Sequence, residues 1–383
     1  MVFGTRPEAI KFAPLIKEIK NNPSVKGVIC VFRQHKEMLD QVLKIFEIEP
    51  NYDLKITISD KALFGGRVNI FRKIKNLAVS GISFLKFLRI LKKEKPDILM
   101  VQGDTSTAFL AAFLAYHFKI KIAHIEAGLR TYNKYSPFPE EINRQLISRL
   151  ADLHFAPTER AKNNLLKEGI AEEKIFLTGN TAIDALFMVK EKLAKNIAEY
   201  ENKFSKKYGI DFNAQKIILI TAHRRENFGE GLKNIFSAIK EIARKRSDAE
   251  IVYPVHLNPN VYHLAQEMLK NIPNIHLIEP LEYDEFVFLM DKSYLILTDS
   301  GGIQEEAPSL KKPVLVMRDA TERGEGIEIG VSKLVGAKFE NIVKETMFLF
   351  DDKEIYNSMT TGINPYGDGA AAKKIIPVII DLK

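Results

Sequence analysis

The 383-residue chain has a single cysteine, Cys30, so it can form neither an intrachain disulfide nor a cysteine-clustered metal site. That scarcity fits a reducing compartment, and the expected place of the lone thiol is a small buried position in a strand. Long apolar runs are also missing. The longest candidates are stretches such as Phe109 to Tyr116, far short of the ~20 residues that a membrane-spanning helix needs. No signal-peptide pattern opens the chain, because Met1-Val2-Phe3 is followed at once by Gly4-Thr5-Arg6-Pro7. A cytoplasmic location is therefore the expectation. The same opening leaves a first strand of only about three residues where ~5 or 6 is usual, so the expectation is either a true start codon upstream of Met1 or a trimmed chain. No internal repeat or low-complexity segment appears, and 46% hydrophobic against 27% charged residues excludes a disordered chain.

What is present in excess is positive charge, a formal +7 with a pI of about 9.1. Such a balance suits nucleic acid, an anionic membrane surface or a phosphorylated small substrate, and charge alone does not choose among them. The length favours two domains over one core. Apolar runs at Val28 to Phe32, Asp97 to Val101 and Lys121 to Ile125 alternate with amphipathic stretches (Ala9 to Asn21, His35 to Phe46, Asn143 to Ala151). A second set of runs follows at Ile217 to Thr221, Glu250 to Val255 and Leu295 to Thr298. Continuous apolar strands separated by helices read as a parallel sheet, and a restarted pattern reads as two doubly wound α/β domains. The break falls near Leu177-Thr178-Gly179-Asn180, before one long charged helical segment from Ala185 to Tyr208. We therefore expect domains at residues 1–178 and 179–362. A terminal helix within 363–383, from about Gly369 to Leu382, is expected to pack back on the first domain. Ligands of such sheets gather at the carboxyl ends of strands.

The candidate site residues lie at such ends. Gly4-Thr5-Arg6-Pro7-Glu8-Ala9-Ile10-Lys11 combines a glycine turn, a helix start and two cations, Arg6 and Lys11, which suits a diphosphate or a sugar. A capped helix with solvent-facing charges explains it equally well. The run Asp97 to Val101 ends in Gln102-Gly103-Asp104-Thr105-Ser106, and Lys121 to Ile125 ends in Glu126-Ala127-Gly128-Leu129-Arg130. Two acids thus leave what should be neighbouring strand ends, where burial and repulsion can tune a pKa for proton transfer. The plainer alternatives are an N-cap for Asp104 and, for Glu126, an ion pair with Arg130 or another nearby cation. A third acid, Glu140, stands after Pro139 in the first turn of a predicted helix, with Arg144 one turn on; an ordinary i,i+4 pair is the competing account.

In the second half, Ala222-His223-Arg224-Arg225 puts a histidine and two arginines at a strand end, which suits a diphosphate better than core packing does. Thr298-Asp299-Ser300-Gly301-Gly302-Ile303-Gln304-Glu305-Glu306 reads as a strand, a close-approach turn and a helix start for phosphate, with Glu306 placed for ribose hydroxyls. Arg318 and Arg323 follow. As a bare pattern Ser-Gly-Gly is weak, and the combination is what makes a nucleotide site.

Together these segments resemble the non-hydrolysing UDP-N-acetylglucosamine 2-epimerase family, from Gly4 to about Lys374. The resemblance rests on His124 to Thr131, Pro137 to Arg144, Ala222 to Gly229 and Asp299 to Leu310. It implies a GT-B type fold with the active site in the interdomain cleft. It also implies roles: Asp104, Glu126 and Glu140 in proton transfer and sugar recognition, and His223 near the UDP diphosphate. Arg6, Ser300, Gly301, Gly302 and Glu306 match UDP-contacting positions, and Lys11, Arg144 and Arg323 further active-site positions. The implied reaction removes the C2 proton as UDP leaves C1, giving a 2-acetamidoglucal that re-adds UDP with protonation on the other face. No metal, nicotinamide or other cofactor is required by this chemistry, and nucleic acid is not an implied partner. Bacterial members bind a second UDP-N-acetylglucosamine as activator, for which Gln34, Arg224 and His256 occupy matching positions. A homodimer is also implied. The chain departs from the family at Ile58 to Leu91 and at Ala320-Thr321-Glu322-Arg323-Gly324-Glu325-Gly326, where Pro-Glu-Ala is usual after the arginine.

The first divergent stretch has its own pattern: ten Lys or Arg against one acid, Glu94, between Lys61 and Lys95, with apolar residues at helical spacing from Phe71 to Leu91. A helix packed by one face and solvated on the other is the leading account, ahead of a subunit interface or membrane attachment. Rival functions are an epimerase of a related UDP-diacetamido sugar, a GT-B glycosyltransferase, a hydrolysing epimerase and an idle nucleotide-sugar sensor.

Overall fold

A computed structural model of the protein describes residues 1–33, 36–54, 83–212 and 216–382. The chain divides into two compact units, Met1–Ala185 with Tyr366–Lys383, and Leu186–Pro365. Every strand pairing among the described residues is parallel, as buried apolar runs separated by helices require.

The first unit holds β1 (Val2–Phe3), β2 (Cys30–Val31) and β3 (Tyr52–Asp53), paired in that order. It also holds β4 (Ile98–Gln102), β5 (Lys121–Ile125), β6 (Leu153–Ala156) and β7 (Ile175–Leu177), likewise paired in order. β1 runs beside β4, so the strand order reverses between them. Cys30 is buried in β2, where desolvation pushes its thiol up to about 12. Helix Ser106–His117 buries Ala108, Ala111, Ala112 and Ala115, whose small side chains let it lie close on the sheet. The basic stretch singled out above is described from residue 83, its earlier part lying outside the described residues. Residues 83–94 are helical and bury Ser83, Phe87 and Leu91 at a four-residue spacing, leaving Lys86, Arg89, Lys92 and Lys93 exposed. Helix Ala371–Ile380 buries Ala371, Ala372, Ile375, Ile376 and Ile379 and packs on helix Arg6–Lys20. Its first N–H groups are capped by Asp184, which accepts from Ala371 at 3.2 Å and Ala372 at 2.8 Å.

The second unit has one six-stranded sheet: β8 (Lys216–Thr221), β9 (Ala249–Pro254), β10 (Ile275–Ile278), β11 (Leu295–Thr298), β12 (Val314–Val316) and β13 (Ser332–Leu334). Its order is β10-β9-β8-β11-β12-β13, the dinucleotide-fold order with a reversal between β8 and β11. Helix Glu230–Lys245 lays Leu232, Ile235, Phe236, Ile239 and Ile242 into this unit's core. The single helix expected from Ala185 to Tyr208 is instead two, Thr181–Ala194 and Ile197–Tyr208. The periodicity carries across the junction, but Asn196 adopts a non-helical N-cap conformation there, a position that asparagine favours. Among the described residues no helix is long and apolar enough to cross a membrane.

One backbone contact in the first unit has no tolerance. Gly128 sits at φ +90, and a Cβ there would lie 2.2 Å from the Ala161 carbonyl oxygen of the helix packed against it. Gly209 has φ +72 but nothing within 4 Å. Gly128→Ala is therefore expected to destabilise the protein by about 3 kcal/mol or more, and Gly209→Ala by only about 1 kcal/mol. Urea unfolding of both variants checks the contrast, and equal losses would refute the steric account.

Candidate active site

The reversal between β1 and β4 places two loops side by side at the carboxyl ends of the first unit's strands, and Glu8 ties them together. Helix Arg6–Lys20 starts with Thr5 as N-cap and Glu8 as its capping-box partner. The fully buried Glu8 carboxylate accepts from Gly4 N–H at 3.0 Å, Thr5 N–H at 2.8 Å and the Thr5 hydroxyl at 2.7 Å. Its other oxygen accepts from the Thr105 hydroxyl at 2.6 Å, in the loop after β4. Burial raises its pKa, opposed by these donors. Arg6 opens this helix, half-buried.

β4 and β5 are neighbours, so Asp104 and Glu126 leave adjacent strand ends, as expected. Glu126 is held at φ +63, a left-handed conformation costly for a residue with a Cβ. Three groups fix its carboxylate: Lys11 Nζ at 2.5 Å and Asn180 Nδ2 at 3.2 Å on one oxygen, and Gln102 Nε2 on the other. The ion pair weighed above forms with Lys11 rather than with Arg130, which binds Glu168 at 2.7 and 2.9 Å. Arg144 forks onto the Asp104 carboxylate, with Nε at 3.1 Å, and also meets Glu141 at 3.2 Å. Asn143, on the same helix, donates to the Asp104 carbonyl at 2.9 Å. Arg144 thus makes an i,i+3 pair with Glu141 and a long-range pair with Asp104. Glu140 is the first residue of helix Glu140–Leu150 and is half-buried, with Pro139 at the N-cap.

In the second unit the reversal between β8 and β11 is spanned by Asp299. Its carboxylate accepts from the His223 and Arg224 N–H groups, each at 2.8 Å, and from Asn227 Nδ2 at 3.2 Å. The His223 ring lies 3.6 Å from the other Asp299 oxygen and stacks on His256 with centroids 5.4 Å apart. Burial lowers the His223 pKa, Asp299 opposes this and Arg224 adds to it, so the imidazole is neutral at pH 7. Ser300 is the N-cap of helix Gly301–Glu306. A Cβ on Gly301 would press on the Arg323 guanidinium carbon at 3.0 Å, whereas one on Gly302 would meet nothing within 4 Å. Glu306 is buried and accepts from the Tyr283 hydroxyl at 3.1 Å.

Glu322 gathers three arginines. It meets Arg318 at 2.8 Å, Arg224 at 3.8 Å and Arg323, which also donates to Glu305 at 2.8 Å. Burial raises the Glu322 pKa, but the guanidiniums of Arg323, Arg318 and Arg224 outweigh it and draw the carboxyl down to about 2.

Each unit therefore collects its predicted residues at one strand-order reversal. Arg6, Lys11, Asp104, Glu126 and Arg144 belong to the first set, with Glu140 on the same helix as Arg144. His223, Arg224, His256, Ser300, Gly301, Gly302, Glu306 and Arg323 belong to the second. Gln34 lies outside the described residues. The sequence reading missed Glu8, Gln102, Glu141, Asn180, Asp299 and Glu322. Two of these carried a usable signal: Glu8 completes a Thr-x-x-Glu capping box, and Asp299 ends a strand beside Ser-Gly-Gly. Among the described residues no group of three or more His, Cys, Asp or Glu is placed to hold a metal ion.

A family model described as UDP-N-acetylglucosamine 2-epimerase matches residues 17–380. A Campylobacter jejuni protein named UDP-N-acetylglucosamine 2-epimerase is 52% identical over 383 residues, covering 99% of this chain and 96% of the relative. The crystal structure of UDP-GlcNAc 2-epimerase from Neisseria meningitidis bound to UDP-GlcNAc aligns with a TM-score of 0.87 at 48% identity, covering 99% and 98% of the two chains. The Methanocaldococcus jannaschii enzyme in complex with UDP-GlcNAc and UDP aligns with a TM-score of 0.78 at 34% identity, covering 99% and 98%. The two-unit α/β architecture is that of these proteins, two Rossmann-like domains of GT-B type.

The Glu322 cluster yields a pH-dependent prediction. A carboxyl depressed from 4.5 to about 2 contributes stability that is fully present above the unfolded pKa and is lost as pH falls towards the folded one. Glu322→Gln should therefore cost about 3 kcal/mol at pH 7 and about 1 kcal/mol less at pH 4. Paired urea titrations of parent and variant read the difference, and a gap that does not narrow with acid would show the coupling is not ionic.

Proposed function

The chain belongs to the UDP-N-acetylglucosamine 2-epimerase family, and on that premise we propose that it reversibly interconverts UDP-N-acetylglucosamine and UDP-N-acetylmannosamine, as a step that feeds cell-surface polysaccharide precursors. Its named relatives, alike over nearly their whole length, are epimerases, and the activity is that of an isomerase. The observation that carries the mechanistic reading is the pair of carboxylates, Asp104 and Glu126, leaving adjacent strand ends, each bound to a fixed cation.

The C2 hydrogen of the sugar is not next to a carbonyl, so simple deprotonation is out of reach and elimination is the accessible route. A base takes the C2 proton while UDP leaves C1; an acid on the opposite face returns a proton as UDP re-adds. We assign the proton transfers and sugar contacts to Asp104, Glu126 and Glu140, with Lys11 and Arg144 setting the charge around them. Arg6, Ser300, Gly301, Gly302 and Arg323 are assigned to the nucleotide diphosphate, and Glu306, held by Tyr283, to the ribose. His223 is assigned to the leaving diphosphate: a neutral imidazole donates to the developing charge without adding a proton to the site's inventory.

Three further parts of the reading rest on narrower support. An activator site at Gln34, Arg224 and His256 is consistent with the stacking of His256 on His223. A homodimer is consistent with Phe113, Tyr116, Ile142 and Leu146, which stay exposed on helices Ser106–His117 and Glu140–Leu150, packed on one another. A cytoplasmic location is consistent with one buried thiol.

Incubation with UDP-N-acetylglucosamine in deuterium oxide tests the reaction. Both epimers should appear, C2 should gain deuterium, and free sugar should not accumulate. Net release of UDP with free sugar would point to hydrolysis, and an inert C2 with transfer to an acceptor would point to a glycosyltransferase. His223→Ala should lower kcat by about 10²- to 10³-fold with folding intact; near-parental turnover would remove the role assigned to that side chain.

A further inference from the structure

His124 is buried completely, on the same face of the first unit's sheet as His154, its registered neighbour on β6. Its Nε2 lies 2.8 Å from the Gly103 carbonyl oxygen, and among the described residues its Nδ1 has no hydrogen-bond partner. A neutral imidazole has one N–H, so this geometry places the proton on Nε2 and makes Gly103 the acceptor; the other tautomer would set a lone pair against the carbonyl. Burial, chiefly, keeps the ring neutral by lowering its pKa to about 3.

Gly103 is itself special. It adopts φ +68, and its own N–H donates to the Ile125 carbonyl at 3.0 Å. Both ends of the Gly103 residue are therefore bound by β5: the N–H by the Ile125 carbonyl, the carbonyl by the His124 ring. The next residue along the turn is Asp104, and the next along β5 is Glu126. A single strand end thus holds the turn that presents one acid and carries the other.

We propose that His124 is a positioning residue of the epimerisation reaction, whose Nε2–H fixes the Gly103–Asp104 peptide and so sets the placement of Asp104 relative to Glu126. The inference rests on the proposed roles of those two acids. The competing account is that a buried ring merely fills the core, in which case an apolar side chain of similar size should serve.

Three variants separate these accounts. In His124→Gln the amide nitrogen reaches the place of Nε2; in His124→Asn it stops one carbon short; in His124→Leu the donor is gone. For the Asn and Leu variants kcat should fall by about tenfold to a hundredfold, while KM and the calorimetric affinity for UDP stay within about threefold. The Gln variant should recover kcat to within about threefold of the parent. Hydrogen exchange at Gly103–Thr105 should quicken in the Asn and Leu variants and stay parental in the Gln variant. Parental kcat and exchange in His124→Leu would overturn the proposal, as would a Gln variant as impaired as the Asn one. Should the Leu variant not fold, the Gln and Asn pair decides. Turnover by the parent reports on the epimerase reading itself, and the exchange readout decides the role of His124 even where that turnover is absent.

Discussion

Each unit of this protein is organised by one buried carboxylate placed where the strand order reverses. In the first, Glu8 collects the Gly4 and Thr5 amides and the Thr105 hydroxyl; in the second, Asp299 collects the His223 and Arg224 amides. The reversal is what makes the constraint necessary. At that point two neighbouring strands send their chains to opposite sides, leaving a crevice whose walls no helix spans. Loops there expose backbone donors that the sheet no longer satisfies, and a buried anion that accepts several of them settles both the donors and its own charge. The side chains proposed to act then stand on loops with little freedom: Arg6 beside Thr5, Asp104 beside Thr105, and His223 and Arg224 with their own amides bound.

The alternating architecture was readable because parallel strands are buried on both faces and so appear as uninterrupted apolar runs. β5, Lys121–Ile125, and β11, Leu295–Thr298, fall where their runs predicted. The neighbouring placement of Asp104 and Glu126 followed from the same pattern, since consecutive strands of such a sheet usually pair. What escaped was set by tertiary geometry. Glu140 and Glu141 are adjacent in sequence but about 100° apart around a helix, and i,i+3 and i,i+4 spacings both reach Arg144; only the packed helix brings Glu141 to it and turns the guanidinium to Asp104 as well. Asn180 reaches Glu126 across 54 residues of chain, and no local pattern announces that contact.

Strain is concentrated at the proposed chemistry. Glu126 and Gly103 both take left-handed conformations at adjacent strand ends. Glycine does so freely, but for a glutamate the cost is of order 1 kcal/mol or more, and it is met by three polar partners on one carboxylate. The natural comparison is Gly128, two residues on, where the left-handed turn belongs to a residue without a Cβ because a helix backbone lies against it. The sequence thus spends its glycine where sterics forbid any side chain and tolerates strain where a carboxylate is needed.

The histidines show how such a site keeps its protons in order. His124 is pushed down to about 3 and His154 to about 4, both chiefly by burial, and His223 is lowered for the same reason. All three are therefore neutral at pH 7. In the proposed elimination, which takes a proton from one face and returns one to the other, any extra acid that can reach the intermediate is a route to side reactions. Keeping these imidazoles neutral leaves the carboxylates as the groups proposed to carry protons, while the His124 ring still serves as a hydrogen-bond donor. On the proposed roles, desolvation, usually read as a penalty on buried polar groups, divides the work: histidine positions and stabilises, and carboxylate transfers.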